Sequence, residues 1–412
     1  MNIIHRCCCG LDVHAKTVVA CLIKNGKKQI RSYSTMTDDL LKLSDWLVSE
    51  GCGQVAIEST GVYWKPVFNI VEGVVEVILV NARHVKAVPG RKTDVRDCEW
   101  LADLLRHGLL RASFIPPLAI RELRELTRHR QTLVRDQTAV SNRIIKVVES
   151  ANIKLAQVAS NALGVSGRAM LRALAAGEQD PAQMAELARG RLKVKKGQLQ
   201  RALHGRLTRS QRFVLAELLD QLTQLEAGIT RVSEEIRVQI EESRDPFVKE
   251  AVSLLQTIPG VGEQISETIV SEIGTDMTCF PDDKHLSSWA GMCPGNNESA
   301  GKRKSGKTTK GSTYLRAALT QASWAASHTK LTYLSAQHKR LIRRMGKRKA
   351  LVAVGHSILV IVFHVLKNRA SYHELGGDYF DRQSVEQQRT RYIRKLEAMG
   401  LKVTIEALPQ AA

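Results

Sequence analysis

Four carboxylates stand where their surroundings make them conspicuous. Asp12 interrupts the apolar run "GLDVHAKTVVACLI" (10–23), Glu58 closes "QVAIE", and Asp94 and Asp97 lie three apart in "KTDVRDCEWLADLL". An unpaired carboxylate in a buried strand is costly, so Asp12 must find a partner or hold a metal. If the third segment is helical from Asp94, residues three apart share a face. Carboxylate oxygens suit hard divalent cations, and magnesium takes one or two of them together with phosphate oxygens. Paired ions of this kind activate a nucleophile and stabilise a leaving oxygen at phosphorus. Each acid alone has an ordinary reading: a surface residue, or for Asp94 a helix N-cap. His14 falls on the same strand face as Asp12 by alternation and can touch a phosphate. Tyr63 and Trp64, just after Glu58, can stack on a nucleotide, although half-buried packing is the simpler reading.

The other conspicuous feature is basic. From Ser299 to His373 there is no Asp or Glu against 16 Lys and Arg. A merely solvated face mixes signs, so this stretch reads as a nucleic-acid surface. Its few aromatic residues favour phosphate contact over base stacking. The whole chain agrees, with 61 Lys and Arg against 41 Asp and Glu among 412 residues, a formal charge of +20. Such a balance points to a polyanionic partner and only weakly to a membrane surface. The longest apolar run, 350–366, carries His356 and His364 and is short for a span; it reads as a buried helix. We expect no signal peptide and a cytosolic, nucleoid-associated protein. The eight cysteines form no CxxC pair, which disfavours a zinc site and a disulfide framework; they read as small apolar residues in a reducing compartment.

These residues need elements to hold them. Residues 1–115 alternate strand and helix patterns, which predicts an α/β domain on a mixed sheet. It has strands in 3–24, around 29–36, 54–60 and 75–82, a helix from a Thr37 cap, and a helix over 94–107 ended by Gly108. Pro116-Pro117 breaks the chain. Residues 116–246 predict two long helices around a polar middle (155–208), as an antiparallel pair, a dimer arm or a plain bundle. The first has a heptad of Leu123, Leu126, Leu133, Val140, Ile144 and Val147, interrupted at Arg130 and Gln137. The second has a cleaner coiled-coil seam of Leu218, Leu222, Leu225, Ile229, Val232 and Ile236. Residues 247–372 form a mainly α, basic domain opening with "LLQTIPGVGEQISETIVSEIG". That is helix, Gly turn, helix, and its turn amides either face a phosphate or simply join two helices. Residues 373–412 are a tail.

"GLDVHAKT", "AIESTGVYW" and "KTDVRDCEWLADLLRHGLL" together resemble the Asp-Glu-Asp-Asp motifs of IS110-family transposases. The stretch from "LLQTIPGVG" through "NNESAGKRKSGKTTKGSTYLRAALTQASWA" is similar to that family's C-terminal transposase domain. The resemblance covers roughly 5–370, with both motif sets in order; Cys98 stands where the family usually has alanine. It implies a RuvC-like, ribonuclease H-type N-terminal domain in which Asp12, Glu58, Asp94 and Asp97 bind Mg2+. It also implies a serine that attacks the DNA phosphate, placed by motif at Ser299, with Ser305, Thr308 and Ser312 as rivals. A noncoding RNA would bridge donor and target DNA. Beside Ser299, a Gly-rich loop with Lys302, Arg303 and Lys304 offers cations for a phosphorane-like state, and Lys307, Lys310 and Arg316 extend the nucleic-acid surface. No base lies in that segment, so metal or an acid from elsewhere must activate the hydroxyl. The expected protein is a homo-oligomeric transposase, a dimer or tetramer. The alternatives are a Holliday-junction-resolvase-type nuclease that uses water, and a catalytically silent nucleic-acid-binding protein.

Overall fold

A computed structural model describes residues 3–59, 61–81, 97–295, 297–299 and 302–404, without the side chains of 297–299, 302–305, 383–388 and 391. The chain divides into two compact units, Met1–Ile115 and Pro116–Ala412.

The first unit is a mixed five-stranded sheet. Strands β1 (Cys7–Val13), β2 (Thr17–Lys24) and β3 (Lys27–Ser34) form an antiparallel meander, and β4 (Gln54–Glu58) and β5 (Glu76–Val80) add in parallel, in the order β3-β2-β1-β4-β5. Helices α1 (Thr37–Ser49) and α2 (Trp64–Val71) cover one face through Leu43, Leu47, Val67 and Val71, which pack on Cys9, Leu11, Val55 and Ile57. Helix α3 (Asp97–Arg106) covers the other through Leu101, Leu105 and Cys98, against Cys8, Cys21, Ala56 and Val80. The inner strand β4 has both faces buried, as a parallel strand inside a sheet requires. Thr37 proves to be the first residue of α1, not its cap; the cap position is Met36, whose N–H is held by Ser34 Oγ at 3.2 Å. Gly108 stops α3's end with φ +66°, a conformation that costs a glycine little. All eight cysteines are free. Burial pushes the thiols of Cys8, Cys21 and Cys52 up, to about 11, 12 and 12 respectively.

The second unit is helical. Helices α4 (Leu118–Ser150) and α9 (Arg209–Glu241) have 33 residues each. Between them run α5 (Leu155–Val158), α6 (Val165–Ala176), α7 (Pro181–Glu186) and α8 (Lys196–Ala202). The long helices are antiparallel: Gln211 near the start of α9 donates to Ser150 at the end of α4 (3.1 Å), and Gln137 donates to Glu226 midway (3.2 Å). Thr208 and Gln211 close a capping box on α9. The expected α9 seam is only partly realised. Its fully buried residues are Leu215, Leu219, Leu222, Ile236 and Ile240, while Leu218, Leu225, Ile229 and Val232 are half-buried. The stripe breaks where Arg168 of α6 grips Glu226; an ion pair there displaces the apolar packing that a continuous coiled coil would need.

Helices α10 (Phe247–Leu255) and α11 (Glu263–Ile273) form the hairpin, followed by α12 (Asp283–Trp289), strands β6 (Asn297–Ser299) and β7 (Lys302–Ser305), α13 (Thr313–His328), α14 (Tyr333–Met345), α15 (Lys347–Asn368) and α16 (Tyr379–Glu397). The hairpin turn seats on α13. Gly260 has φ +89°, and a Cβ there would lie 2.3 Å from the Ala322 carbonyl oxygen. Helix α15 is long and apolar enough to cross a membrane by composition, but half of that stretch is buried inside the fold.

The heptad interruptions of α4 have a structural use. Arg130 is buried against Glu267 of α11, Nη1 to Oε2 at 2.6 Å, with each side chain 4% exposed. Gln137 is the link to Glu226 just described. Losing one member of a buried pair strands the other charge. Glu267→Ala should therefore destabilise the protein by about 3–5 kcal/mol in chemical denaturation. Arg130→Met with Glu267→Leu, which restores apolar contact, should recover most of that loss.

Candidate active site

The geometry of the acids follows from strand register and one glycine. In the parallel pair β1–β4 the last registered partners are Leu11 and Ile57. One step further along lie Asp12 and Glu58, so both sit at the carboxyl ends of neighbouring parallel strands. Along β1, residues 8, 10 and 12 alternate with the core-facing Cys9, Leu11 and Val13, which pack toward α1 and α2. Asp12 therefore shares the face of Cys8, which packs with α3. On β4, Ala56 packs on that same face and Glu58 follows it by two.

Helix α3 runs antiparallel to β1 across this face. Arg106 O accepts from the backbone N–H groups of Ile4 (2.9 Å) and His5 (3.2 Å), the Cys8 thiol donates to Ala102 O (3.6 Å), and Gly10 meets Cys98. The contact at Gly10 is backbone on backbone: a Cβ there would lie 2.2 Å from Cys98 O and 2.5 Å from Ala102 N. The helix N-terminus, Asp97, thus arrives at the end of the sheet that carries Asp12 and Glu58. The Cys98 thiol registers this approach, being pushed up first by burial and next by the charge of Asp12. Cys98 itself is fully buried and fills the place between α3 and the sheet.

Asp12 differs from the expectation of a carboxylate inside a buried strand. It is one residue from the end of β1, its side chain is 25% exposed, and Oδ2 is 3.1 Å from His14 Nε2. His14 is thus within reach of Asp12, as alternation requires. Glu58 is half-buried and Asp97 exposed. Asp94 lies outside the described residues. Among the described residues no three His, Cys, Asp or Glu side chains are close enough to hold a metal. The donor chemistry of Asp12, Glu58 and Asp97 on one face at one sheet end nonetheless suits a hard cation better than a soft one. Trp64 packs edge-on against Phe68 (5.7 Å), while Tyr63 is exposed.

In the second unit Ser299 is in a strand, not the expected Gly-rich loop; it pairs with Lys302, and Glu298 with Arg303. The ladder is antiparallel and short, and Pro294 bridges Thr308 just outside it. The side chains of Ser299, Lys302, Arg303, Lys304 and Ser305 lie outside the described residues. Lys307 and Lys310 are exposed and Arg316 is half-buried on α13. Ser312 is already engaged: its Oγ caps α13 by accepting from Leu315 N (3.2 Å) and donates to Glu272 Oε2 (3.0 Å).

Glu272 belongs to a network that sequence inspection did not pick out. Arg128 of α4 binds its carboxylate with Nε at 2.6 Å and Nη2 at 2.8 Å, and Arg124 donates to the carbonyls of Ser271 (2.9 Å) and Glu272 (2.6 Å). Gln131 donates to Tyr314 O (3.2 Å), and the guanidinium of Arg128 lies 4.8 Å from the Tyr314 ring centroid. Helix α4 so fixes the start of α13, at Ser312 through Glu272 and at Tyr314 directly. The only sequence signal was the placement of Arg124 and Arg128 one turn apart on α4.

Comparison with known proteins gives two family matches. The model of the IS110 DEDD transposase domain matches residues 9–153, and that of the IS116/IS110/IS902 transposase family matches residues 252–351. The first interval holds all four acids and the second holds Ser299 and its cations. The chain is also similar to the transposase for insertion sequence element IS1111A of Coxiella burnetii, at 23% identity over 369 residues, covering 88% of this chain and 87% of that protein. A probable family 20 transposase of Pseudomonas aeruginosa is 22% identical over 370 residues, covering 88% and 94%.

Gly10 supplies a direct check on this geometry. Gly10→Ala should push α3 off β1 and cost about 1–3 kcal/mol in thermal or chemical denaturation, as overpacking does. Gly53→Ala in the same unit, where nothing lies within 4 Å of the new Cβ, should leave stability within about 0.5 kcal/mol of wild type.

Proposed function

The chain belongs to the IS110 family of insertion-sequence transposases, and on that premise we propose that it cuts and rejoins DNA through Ser299, with Asp12, Glu58, Asp94 and Asp97 holding Mg2+ in a RuvC-like domain. The observation that carries this reading is the placement of Asp12, Glu58 and the start of α3 at one end and on one face of the sheet. Carboxyl ends of parallel strands are where open α/β sheets place their ligands. When bound, the cation would neutralise charge at a phosphate and favour loss of the attacking hydroxyl's proton.

The chain's own residues do the rest. The Ser299 oxygen forms an ester bond to a DNA phosphorus. The bond from that phosphorus to one strand oxygen breaks, and that oxygen takes a proton as a free hydroxyl. Attack by a strand hydroxyl on such a phosphoserine reverses these bonds and rejoins DNA. Lys302, Arg303 and Lys304 would stabilise the charge on the phosphorus oxygens, and Lys307, Lys310 and Arg316 would hold flanking phosphates. His14 would orient Asp12. Donor and target DNA, a bridging noncoding RNA and a second copy of the chain complete the proposal; the half-buried Leu225, Ile229 and Val232 on α9 support a further helix contact. Work on chromosomal DNA in the bacterial cytosol fits free cysteines throughout. The proposed division is 1–115 catalytic, 116–246 helical arm, 247–372 basic domain and 373–412 tail.

Trapping of a covalent protein–DNA adduct, on DNA supplied with its guide RNA and Mg2+, tests this. Ser299→Ala and Asp12→Asn should each abolish the adduct while retaining nucleic-acid binding. Mixing the two variants should restore some adduct if acids and serine come from different subunits. An adduct from Ser299→Ala would move the nucleophile to Ser305 or Thr308. Cleavage by wild type with no adduct at any time would assign the attack to water.

The basic surface has its own measure. Reversing the charge of Lys307, Lys310 and Arg316 should weaken DNA binding and flatten its dependence on salt. Each lost phosphate contact should lower the log–log slope by roughly 0.7–0.9. An unchanged slope would place the nucleic acid on another face.

A further inference from the structure

A cavity of about 1030 Å3 opens beside the β6–β7 ladder, bounded by Pro294 and Gly306 at the ladder's two flanks and walled by α14 and the first turns of α15. That is as large as the roomier small-molecule sites, about 300–1,000 Å3. Three kinds of side chain line it. Met292, Leu341 and Val352 supply apolar surface, and Arg316, Arg344 and Arg348 bring cations, with no carboxylate among the described lining residues. Gln337, His356 and Ser357 bring neutral polar groups.

The Gln337 amide is the telling one. Its Nε2 donates to Ser357 Oγ at 2.8 Å, while its Oε1 is buried with no hydrogen-bond partner among the described residues. A buried acceptor left unmade is unfavourable until a donor reaches it. His356 is held neutral, since burial lowers its pKa although the charge of Asp283 opposes this. A neutral imidazole offers one donor and one acceptor. Apolar walls, a hydrogen-bonding edge and flanking cations are together the complement of one kind of group: a flat heterocycle carried between two phosphates.

We propose that this cavity receives a single unstacked nucleobase of a nucleic-acid strand. The apolar side chains lie against the base, Gln337 meets a donor on its edge, and the neighbouring phosphates rest on Arg316, Arg344 and Arg348. The inference rests on the reading of the basic segment as a nucleic-acid surface and adds what that surface recognises besides charge. It also gives a base contact to a region poor in aromatic residues: the base is enclosed by aliphatic and thioether groups in place of stacked rings. Extruding a base costs least where the strand is already unpaired, so single-stranded DNA or RNA is the natural substrate.

Fluorescence anisotropy on the full-length protein tests this, using a labelled single-stranded DNA and a strand of equal length made entirely of abasic sites, with an RNA strand as a further arm. Wild type should bind the base-bearing strand about tenfold more tightly than the abasic one, or about 1.4 kcal/mol. Val352→Trp, which plugs the cavity and keeps every cation, should bring that ratio to about twofold or less. Gln337→Leu should do the same without adding bulk, which guards against misfolding of the tryptophan variant. Arg344→Gln with Arg348→Gln should weaken both strands alike and leave the ratio in place. The DNA or RNA arm with the larger ratio identifies the source of the base. Equal binding of base-bearing and abasic strands by wild type would overturn the proposal, as would an undiminished ratio in natively folded Gln337→Leu. Failure of wild type to bind either strand at low salt would instead remove the underlying nucleic-acid reading, and the proposal with it.

Discussion

The carboxylate end of the first unit depends on a contact with no side chain in it. At Gly10 the backbone of α3 lies directly on β1, closer than any Cβ would allow. Helices normally stand off a sheet by the depth of a layer of side chains. Removing that layer at one point lets the helix start at the strand end, where two parallel strands present Asp12 and Glu58 in register. Because α3 runs against β1, the closest approach brings in its N-terminus, the end whose dipole favours negative charge. Asp97 and the carboxylates opposite it therefore share a region that local electrostatics already tolerates.

The second unit is arranged by polar contacts where a simpler bundle would use apolar ones. Arg124 and Arg128, one turn apart on α4, engage Ser271 and Glu272 of α11, and Arg130, half a turn further on, engages Glu267. Buried ion pairs are weak sources of net stability, but a wrong register leaves charges stranded. Here they fix how α11 sits on α4, and through Glu272 and Ser312 they fix where α13 begins. The basic segment is thereby attached to a rigid helix 33 residues long.

Much of the first unit was legible because its signals are local. Short β-branched runs with both faces apolar mark buried strands, and Asp12, Glu58 and Asp97 stood out against them. What pairing alone decides was not legible. The strand register that levels Asp12 with Glu58 depends on contacts 46 residues apart in the chain. Asp12 was read as buried because its neighbours in sequence are apolar, yet the strand ends one residue later and solvent reaches it. In α4 and α9 the heptads were visible, but periodicity cannot say whether Arg130 faces water or Glu267. Likewise it cannot foresee that Glu226 and Arg168 would part the α9 seam. Ser299 was assigned to a loop from its glycines, a reading of composition that the Ser299–Lys302 pairing overrode.

The sulfur atoms of the sheet have a consequence for how its motions can be followed. Cys8, Cys9 and Cys21 sit fully buried on adjacent strands. Only a thiolate reacts with alkylating agents, and burial pushes the Cys8 and Cys21 thiols up to about 11 and 12. In the closed sheet they are both shielded and protonated. Their labelling therefore proceeds through transient opening, and its rate reports the free energy of that opening strand by strand. The protein carries its own clock for local unfolding at the base of the carboxylate site, readable without introducing a single cysteine.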